Sequence, residues 1–260
     1  PKPRIFRLVK DNAVINRLGF NNQGQDAAMV RLKRMRQRMD SGLSRGILGI
    51  NIGANKDSDD RIADYVTGVR NMAPLADYLT VNISSPNTPG LRALQDKGSL
   101  KELLSAVMDE RGEHKVPVFL KVAPDLEPAD IDDIVDVASA AKLDALIVSN
   151  TTITRPDLIS RNAKEQGGLS GAPLKDLALQ RLKDFRKASG GKIPLIGVGG
   201  IANANDAYER ICAGASLVQL YTAMIYEGPT LARNMACGLT KLVKRDGFKN
   251  ISEAVGSDAA

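Results

Sequence analysis

The sequence predicts a TIM-type α/β barrel, and three observations carry that prediction. Strand-like apolar runs alternate with helix-periodic runs without a break in composition. Each apolar run ends in Asn, Ser, Thr, Lys or Gly. A chain of 260 residues with 43% hydrophobic content suits one large domain of this class. A doubly wound sheet would concentrate its polar strand ends at one switch point, whereas here all contribute, which favours a barrel with its active face at the carboxyl ends. Six strand-then-helix units are legible, read as strands 3–8 of eight. The first two strands are expected at or before Pro1, so residues 1–260 are read as one barrel domain, incomplete at its amino end.

Taken in order, Pro1 to Leu8 reads as an extended segment, followed by the amide-rich loop Asn16-Arg17-Leu18-Gly19-Phe20-Asn21-Asn22. Residues 25–39 are helix-periodic and stop at Ser41-Gly42. Strands are expected at 47–52, 78–83, 116–122, 146–148, 193–198 and 217–220. The helices between and after them are expected at 58–72, 99–109, 128–140, 174–187, 206–213 and 231–244. In the 128–140 helix Asp130, Asp132 and Asp133 sit early, as the helix dipole favours, and Asn205 is a plausible N-cap for 206–213. Gly167 to Gly171 falls in a long polar loop.

Composition removes several function classes. Thirty-six Lys plus Arg against 30 Asp plus Glu give +6, a modest and scattered excess. Its densest stretch, Arg31 to Arg38, carries Leu32 and Met35 at helical spacing and reads as a solvated helix face. With no Trp and 4% aromatic residues there is no interleaving for base stacking, so no nucleic-acid partner is expected. One histidine, His114, argues against a histidine triad or zinc site, and no metal site is expected. Cys212 and Cys237 read as buried, reduced core residues. No apolar run approaches the ~18 residues of a membrane-spanning helix and no signal-peptide pattern opens the sequence, so a cytosolic or membrane-surface protein is expected.

The chain is organised around Val81 to Arg92, where a strand runs into Asn82, Ser84, Ser85, Asn87 and Thr88 and is stopped by Pro86, Pro89 and Gly90. The cluster is either a ligand site or an Asn/Ser-rich turn that only closes a loop. Lys121 lies on an apolar strand, where a charge must face a ligand, reach solvent at the strand end or bear a burial cost. Asn16, Asn51, Asn82, Asn87 and Asn150 suit a flat, amide-like substrate that needs donors and acceptors. Gly197-Val198-Gly199-Gly200, Gly214-Ala215-Ser216 and Tyr221-Thr222 offer backbone amides to a phosphate, or serve tight packing.

Five motifs together resemble dihydroorotate dehydrogenases: Asn82-Ile83-Ser84-Ser85-Pro86-Asn87-Thr88 with Gly90-Leu91-Arg92, Lys121-Val122-Ala123-Pro124-Asp125, Ser149-Asn150-Thr151-Thr152, Gly167-Gly168-Leu169-Ser170-Gly171, and Gly197-Val198-Gly199-Gly200. Ser85 resembles the base of the class 2, quinone-dependent, membrane-associated enzymes; class 1 enzymes place a cysteine there. The resemblance implies an FMN enzyme of pyrimidine biosynthesis that oxidises dihydroorotate to orotate and is reoxidised by a quinone. It implies that Ser85 takes the C5 proton through a path shaped by Thr88 and Phe20, while hydride leaves C6 for the flavin. Asn16, Arg17, Leu18, Gly19, Phe20, Asn82, Ser85, Asn87, Asn150 and Thr151 would surround the substrate. Asn51, Asn82, Lys121, Ser149, Gly171, Gly199, Gly200, Tyr221 and Thr222 would contact FMN, with Lys121 near its N1/O2 edge. Ser149 stands where relatives carry threonine, which keeps the hydroxyl.

Two features of the family have no counterpart in these residues: the first two barrel strands, with their flavin-contacting loop and substrate lysine, and the amino-terminal membrane-docking helices. The sequence is therefore expected to be part of a longer protein, bound peripherally at the cytoplasmic face of a membrane, or at the mitochondrial inner membrane if eukaryotic. A chain this short would leave exposed strand edges and hold FMN poorly. The alternatives are another FMN barrel, either a class 1 relative or a dihydrouridine synthase, and a flavin-free inactive fragment.

Overall fold

Two sheets organise the protein, of which the computed structural model describes residues 2–88 and 90–258. Pro1 and Pro89 of the stretches above lie outside the described residues. The first sheet begins as a hairpin that the sequence does not announce. Strands β1 (Ile5–Leu8) and β2 (Ala13–Asn16) pair antiparallel across a tight turn. Asn12 closes the turn at φ 47°, a left-handed conformation that Asn tolerates better than most residues. Helix α1 (Gln25–Asp40) follows; it buries no residue fully, and only Ala28, Met29 and Leu32 pack against the core.

The second sheet has six parallel strands in the order β3 (Gly49–Ile52), β4 (Tyr78–Asn82), β5 (Val118–Val122), β6 (Ala145–Val148), β8 (Leu195–Val198) and β9 (Ala215–Gln219). The omitted strand, β7 (Gly168–Gly171), pairs with β2 and completes the antiparallel sheet. Each parallel strand is followed by a helix before the next: α2 (Arg61–Met72), α3 (Lys97–Arg111), α4 (Pro128–Ala140), α5 (Lys175–Ala188) and α6 (Ala204–Cys212). After β9 come α7 (Thr222–Glu227) and α8 (Leu231–Arg245). These are the six strand–helix units of a TIM-type barrel wall, with β3 and β9 as its edges.

Local chemistry sets the helix starts. The Asp60 carboxylate accepts from the Ala63 amide at 2.9 Å and fixes α2, and Asp96 does the same for α3. Pro128 opens α4 inside a Glu127/Asp130 capping box. Helix α6 is capped by Asn203, whose side chain accepts from the Asp206 amide, rather than by Asn205, which lies within the helix.

Register separates two faces. Leu79, Val81, Val118, Leu120, Val122, Leu146, Val148 and Leu195 point outward and form one apolar core with the helices. The alternate residues line the inner face: Asn82, Lys121, Ile147 and Ile196 form one row, and Asn51, Thr80, Phe119 and Ala145 the row beneath it. Below these Tyr78 stacks on Phe119 at 4.9 Å. The polar residues of these two rows lie on β3, β4 and β5 and the apolar ones mainly on β6 and β8, with Asn82 and Lys121 at the carboxyl ends where the polar strand ends predict a site.

Three expectations need correction. Residues 167–171, expected in a loop, include the buried strand β7. Cys212 is buried but Cys237 is exposed on α8. Gly214-Ala215-Ser216 enters β9 at its amino end, opposite the site, and a Cβ on Gly214 would meet the Arg186 side chain. That glycine serves packing.

Candidate active site

The strand-end loops of β4, β5 and β6 meet in one polar network. At the end of β4 the Asn82 carbonyl accepts from the fully buried Tyr65 hydroxyl at 2.7 Å, which fixes the strand where it turns into the loop. Asn82 Oδ1 accepts from Ser84 Oγ at 2.8 Å, and Asn150 Nδ2 donates to Ser84 Oγ at 3.0 Å and to Asn82 Oδ1 at 3.5 Å. On the hairpin side, Asn87 Nδ2 donates to Asn16 Oδ1 at 3.3 Å. Four amides from three segments therefore converge in two pairs, Asn82 with Asn150 and Asn16 with Asn87. Replacing Tyr65 by Phe is expected to cost about 1–2 kcal/mol, read as a lower denaturation midpoint, because a buried carbonyl loses its donor.

Ser85 is buried, and its Oγ accepts from the Asn87 amide at 3.3 Å. Thr88 is also buried, and its Oγ1 meets no partner among the described residues. Phe20 sits at φ 57° with its ring against Gly53, where an added Cβ would lie 3.0 Å from the ring, so it bridges the amide loop and the end of β3. Gly19, at φ 65°, lies beside the Asn87 carbonyl.

A cavity of about 440 Å³ opens beside this network, between the carboxyl ends of β5 to β9 and the antiparallel sheet. Asn16, Leu18, Lys121, Ser149, Asn150 and Thr151 line it, together with Gly171, Gly199, Gly200, Tyr221 and Thr222. Lys121 has no hydrogen bond or ion pair among the described residues, and burial holds its ammonium below the usual lysine range. Gly168 is required by a close approach, since a Cβ there would overlap the Thr151 side chain.

Two predicted site residues stand apart. The Arg17 guanidinium turns to Glu165 at 2.9 Å, to the Gln166 and Pro3 carbonyls and over the Phe6 ring, so it braces the hairpin. Asn51 lies exposed on the edge strand β3, outside the cavity wall.

Sequence reasoning missed the groups that hold the loops. Arg92 donates through Nε to the Ser84 carbonyl at 3.2 Å, through Nη1 to Asp125 at 2.8 Å and through Nη2 to the Thr151 carbonyl at 3.0 Å, so one planar fork joins three loops. Asp125 also accepts from the Thr152 hydroxyl and the Ile153 amide. The sign of the charges after β4 and β5 is the only sequence signal for this pair. Arg92→Met is expected to destabilise the protein by about 2–3 kcal/mol in chemical denaturation. Arg92→Lys should recover less than half of that, because an ammonium cannot span three separated acceptors. Tyr226, for which the sequence suggests no role, lines the cavity and donates to the Ala13 carbonyl at 2.7 Å.

Fold and site together define a barrel-type protein that gathers amide, lysine and glycine residues around one cavity at its strand ends. The family model for dihydroorotate dehydrogenase matches residues 1–243. The chain is 66% identical over 258 residues to a dihydroorotate dehydrogenase (quinone) of Novosphingobium aromaticivorans, covering 99% of this chain and 74% of that protein. To that of Sphingopyxis alaskensis it is 65% identical, covering 100% and 72%. Among solved structures, DHODH from Eimeria tenella in complex with ferulenol superposes with a TM-score of 0.96 at 42% identity, over 99% of this chain and 75% of that one. The chain belongs to the dihydroorotate dehydrogenase family.

Proposed function

We infer that this protein oxidises dihydroorotate to orotate and delivers the electrons to a quinone, in pyrimidine biosynthesis. It is an oxidoreductase and a flavoprotein, and the flavin we propose is FMN. The observation that carries the site assignment is the convergence of Asn16, Asn82, Asn87 and Asn150 beside Lys121 and Ser85. The residues present suit a flavin: the cavity lining holds a lysine without an ion pair among the described residues and three glycines, with the Gly200 and Ile201 amides left to bind an anion. Lys121, Ser149, Gly171, Gly199, Gly200, Tyr221 and Thr222 would hold it, with Asn82 beside Lys121 on the neighbouring strand.

When bound, a flavin would supply the two-electron acceptor for the hydride that leaves C6 of dihydroorotate and the donor that the quinone reoxidises. Every other role falls to the chain. The amides orient the substrate ring through its own donors and acceptors. Ser85 Oγ takes the C5 proton as the C5–C6 double bond forms. An alcohol is a weak base, so Ser85 must release its own hydroxyl proton as it takes the one from C5, and the buried Thr88 hydroxyl in the same loop is suited to relay it, taking that proton as it passes its own on toward solvent. The Lys121 ammonium offsets negative charge that develops on its neighbour during hydride transfer.

No helix among the described residues is long and apolar enough to cross a membrane. We propose peripheral membrane contact, because a quinone acceptor is reached at the bilayer. The test is the visible spectrum of the purified full-length protein, followed by anaerobic dihydroorotate. Bleaching of a flavin band is the expected result, and reoxidation by added quinone completes the cycle. A flavin band that dihydroorotate leaves unchanged would overturn the reading.

A further inference from the structure

One charged side chain near the cavity has no part in the roles assigned above. Arg210, on α6, is fully buried, yet it forms no ion pair among the described residues. The neighbouring carboxylates Asp206 and Glu209 are taken by Lys175, at 2.7 and 3.3 Å. Arg210 Nη2 donates instead to two carbonyls, Lys175 at 2.6 Å and Gly199 at 3.0 Å, while Nε and Nη1 meet no partner. A buried cation with no carboxylate in direct contact is costly, and burial presses its pKa down against the more distant charges of Glu209, Asp206 and Asp176, but a guanidinium stays protonated at neutral pH.

Its position gives that cost a use. The stem passes beneath β8 where Gly197 leaves room, since a Cβ there would lie 3.3 Å from Arg210 Cβ. The head reaches the Gly199 carbonyl. The Gly199–Gly200 peptide is trans, so its C=O and N–H point in opposite directions. Pinning the carbonyl on Arg210 therefore turns the Gly200 N–H away from the protein interior and toward the cavity that Gly199 and Gly200 line. The Gly200 and Ile201 amides find no backbone acceptor among the described residues. Gly200 holds this turn at φ 69°, pressed on Lys175, where a side chain would be strained. Hydrogen bonding to a peptide carbonyl also polarises the attached N–H, which makes it a better donor to an anion.

We propose that Arg210 is a positioning residue for the phosphate of the bound flavin, acting from behind the Gly199–Gly200 peptide without touching the ligand. This rests on the FMN reading above. Its signature is selectivity: a group that serves the phosphate matters for FMN and not for riboflavin, which shares the ring and lacks the phosphate.

The test measures Kd for both flavins, by quenching of flavin fluorescence, in the full-length protein freed of flavin. The wild type should bind FMN far more tightly than riboflavin. Arg210→Met, which keeps the buried length and removes the charge, should lose at least tenfold in FMN affinity with riboflavin affinity unchanged within twofold. Arg210→Lys should recover part of the loss, and it carries the test alone if the Met variant does not fold. Equal weakening of both flavins would reduce Arg210 to a structural support, and unchanged FMN affinity would remove it from the site; either overturns the proposal. A wild type with no preference for FMN would overturn the phosphate reading itself, and this inference with it.

Discussion

Ser85→Ala is expected to slow reduction of the flavin by dihydroorotate by about 10²–10⁴-fold, the range that a positioned base contributes. Orotate binding, followed through the flavin spectrum, should change by no more than a few fold. The asymmetry follows from geometry. Ser85 Oγ is held by the Asn87 amide at 3.3 Å, while the substrate ring is oriented by amide side chains that the substitution leaves in place. Ser85→Cys sharpens the test. A free thiol ionises near 8.5, so this variant should work better at pH 9 than at pH 7, a dependence that an alcohol base would not show in that form. A Ser85→Ala rate within tenfold of wild type would mean that another group takes the proton.

The parts of this site that sequence shows are those with an intrinsic chemical signature. Lys121 stands out because its strand neighbours Leu120 and Val122 are apolar, and the amides stand out because they cluster after strands. The helices were legible in the same way, and α4 is found with the bounds its periodicity predicts. What sequence hides is whatever depends on partners far along the chain. Arg92 and Asp125 are 33 residues apart, and nothing local marks them as a pair. Strand β7 has the composition of a loop, Gly-Leu-Ser-Gly, and is a strand because β2 reaches it from 152 to 158 residues away, Ala13 opposite Gly171 and Asn16 opposite Gly168. Gly168 is needed for contact with the Thr151 side chain, and Gly171 both for contact with the Asn12 carbonyl and for its φ of 99°. Arg210 likewise reads as one more charge on an amphipathic helix; only the fold shows that it points inward.

Lys121→Met is the second large effect, with opposite signs in activity and stability. The ammonium sits on the inner face beside Asn82, with Ile147 on its other side and no counter-charge among the described residues. Removing it should lower the rate of flavin reduction by about 10²–10³-fold, as expected for loss of a preorganised charge at the reacting centre. In the flavin-free protein the same substitution should raise the melting temperature at neutral pH. The folded-state pKa of this lysine lies below its unfolded value, so the unfolded chain binds the proton more readily. Stability then falls as pH drops through the window from the unfolded pKa, about 10.4, to the lower folded one, and the cost is fully present below it. The advantage of the Met variant should accordingly shrink as pH rises toward 10, with each kcal/mol worth roughly 2–4 °C in a domain of this size. Equal melting of the two proteins at pH 7 and pH 10 would show that Lys121 reaches solvent and bears no burial cost. A gain in stability together with the loss of rate would identify a charge kept at the expense of the fold, for the reaction it serves.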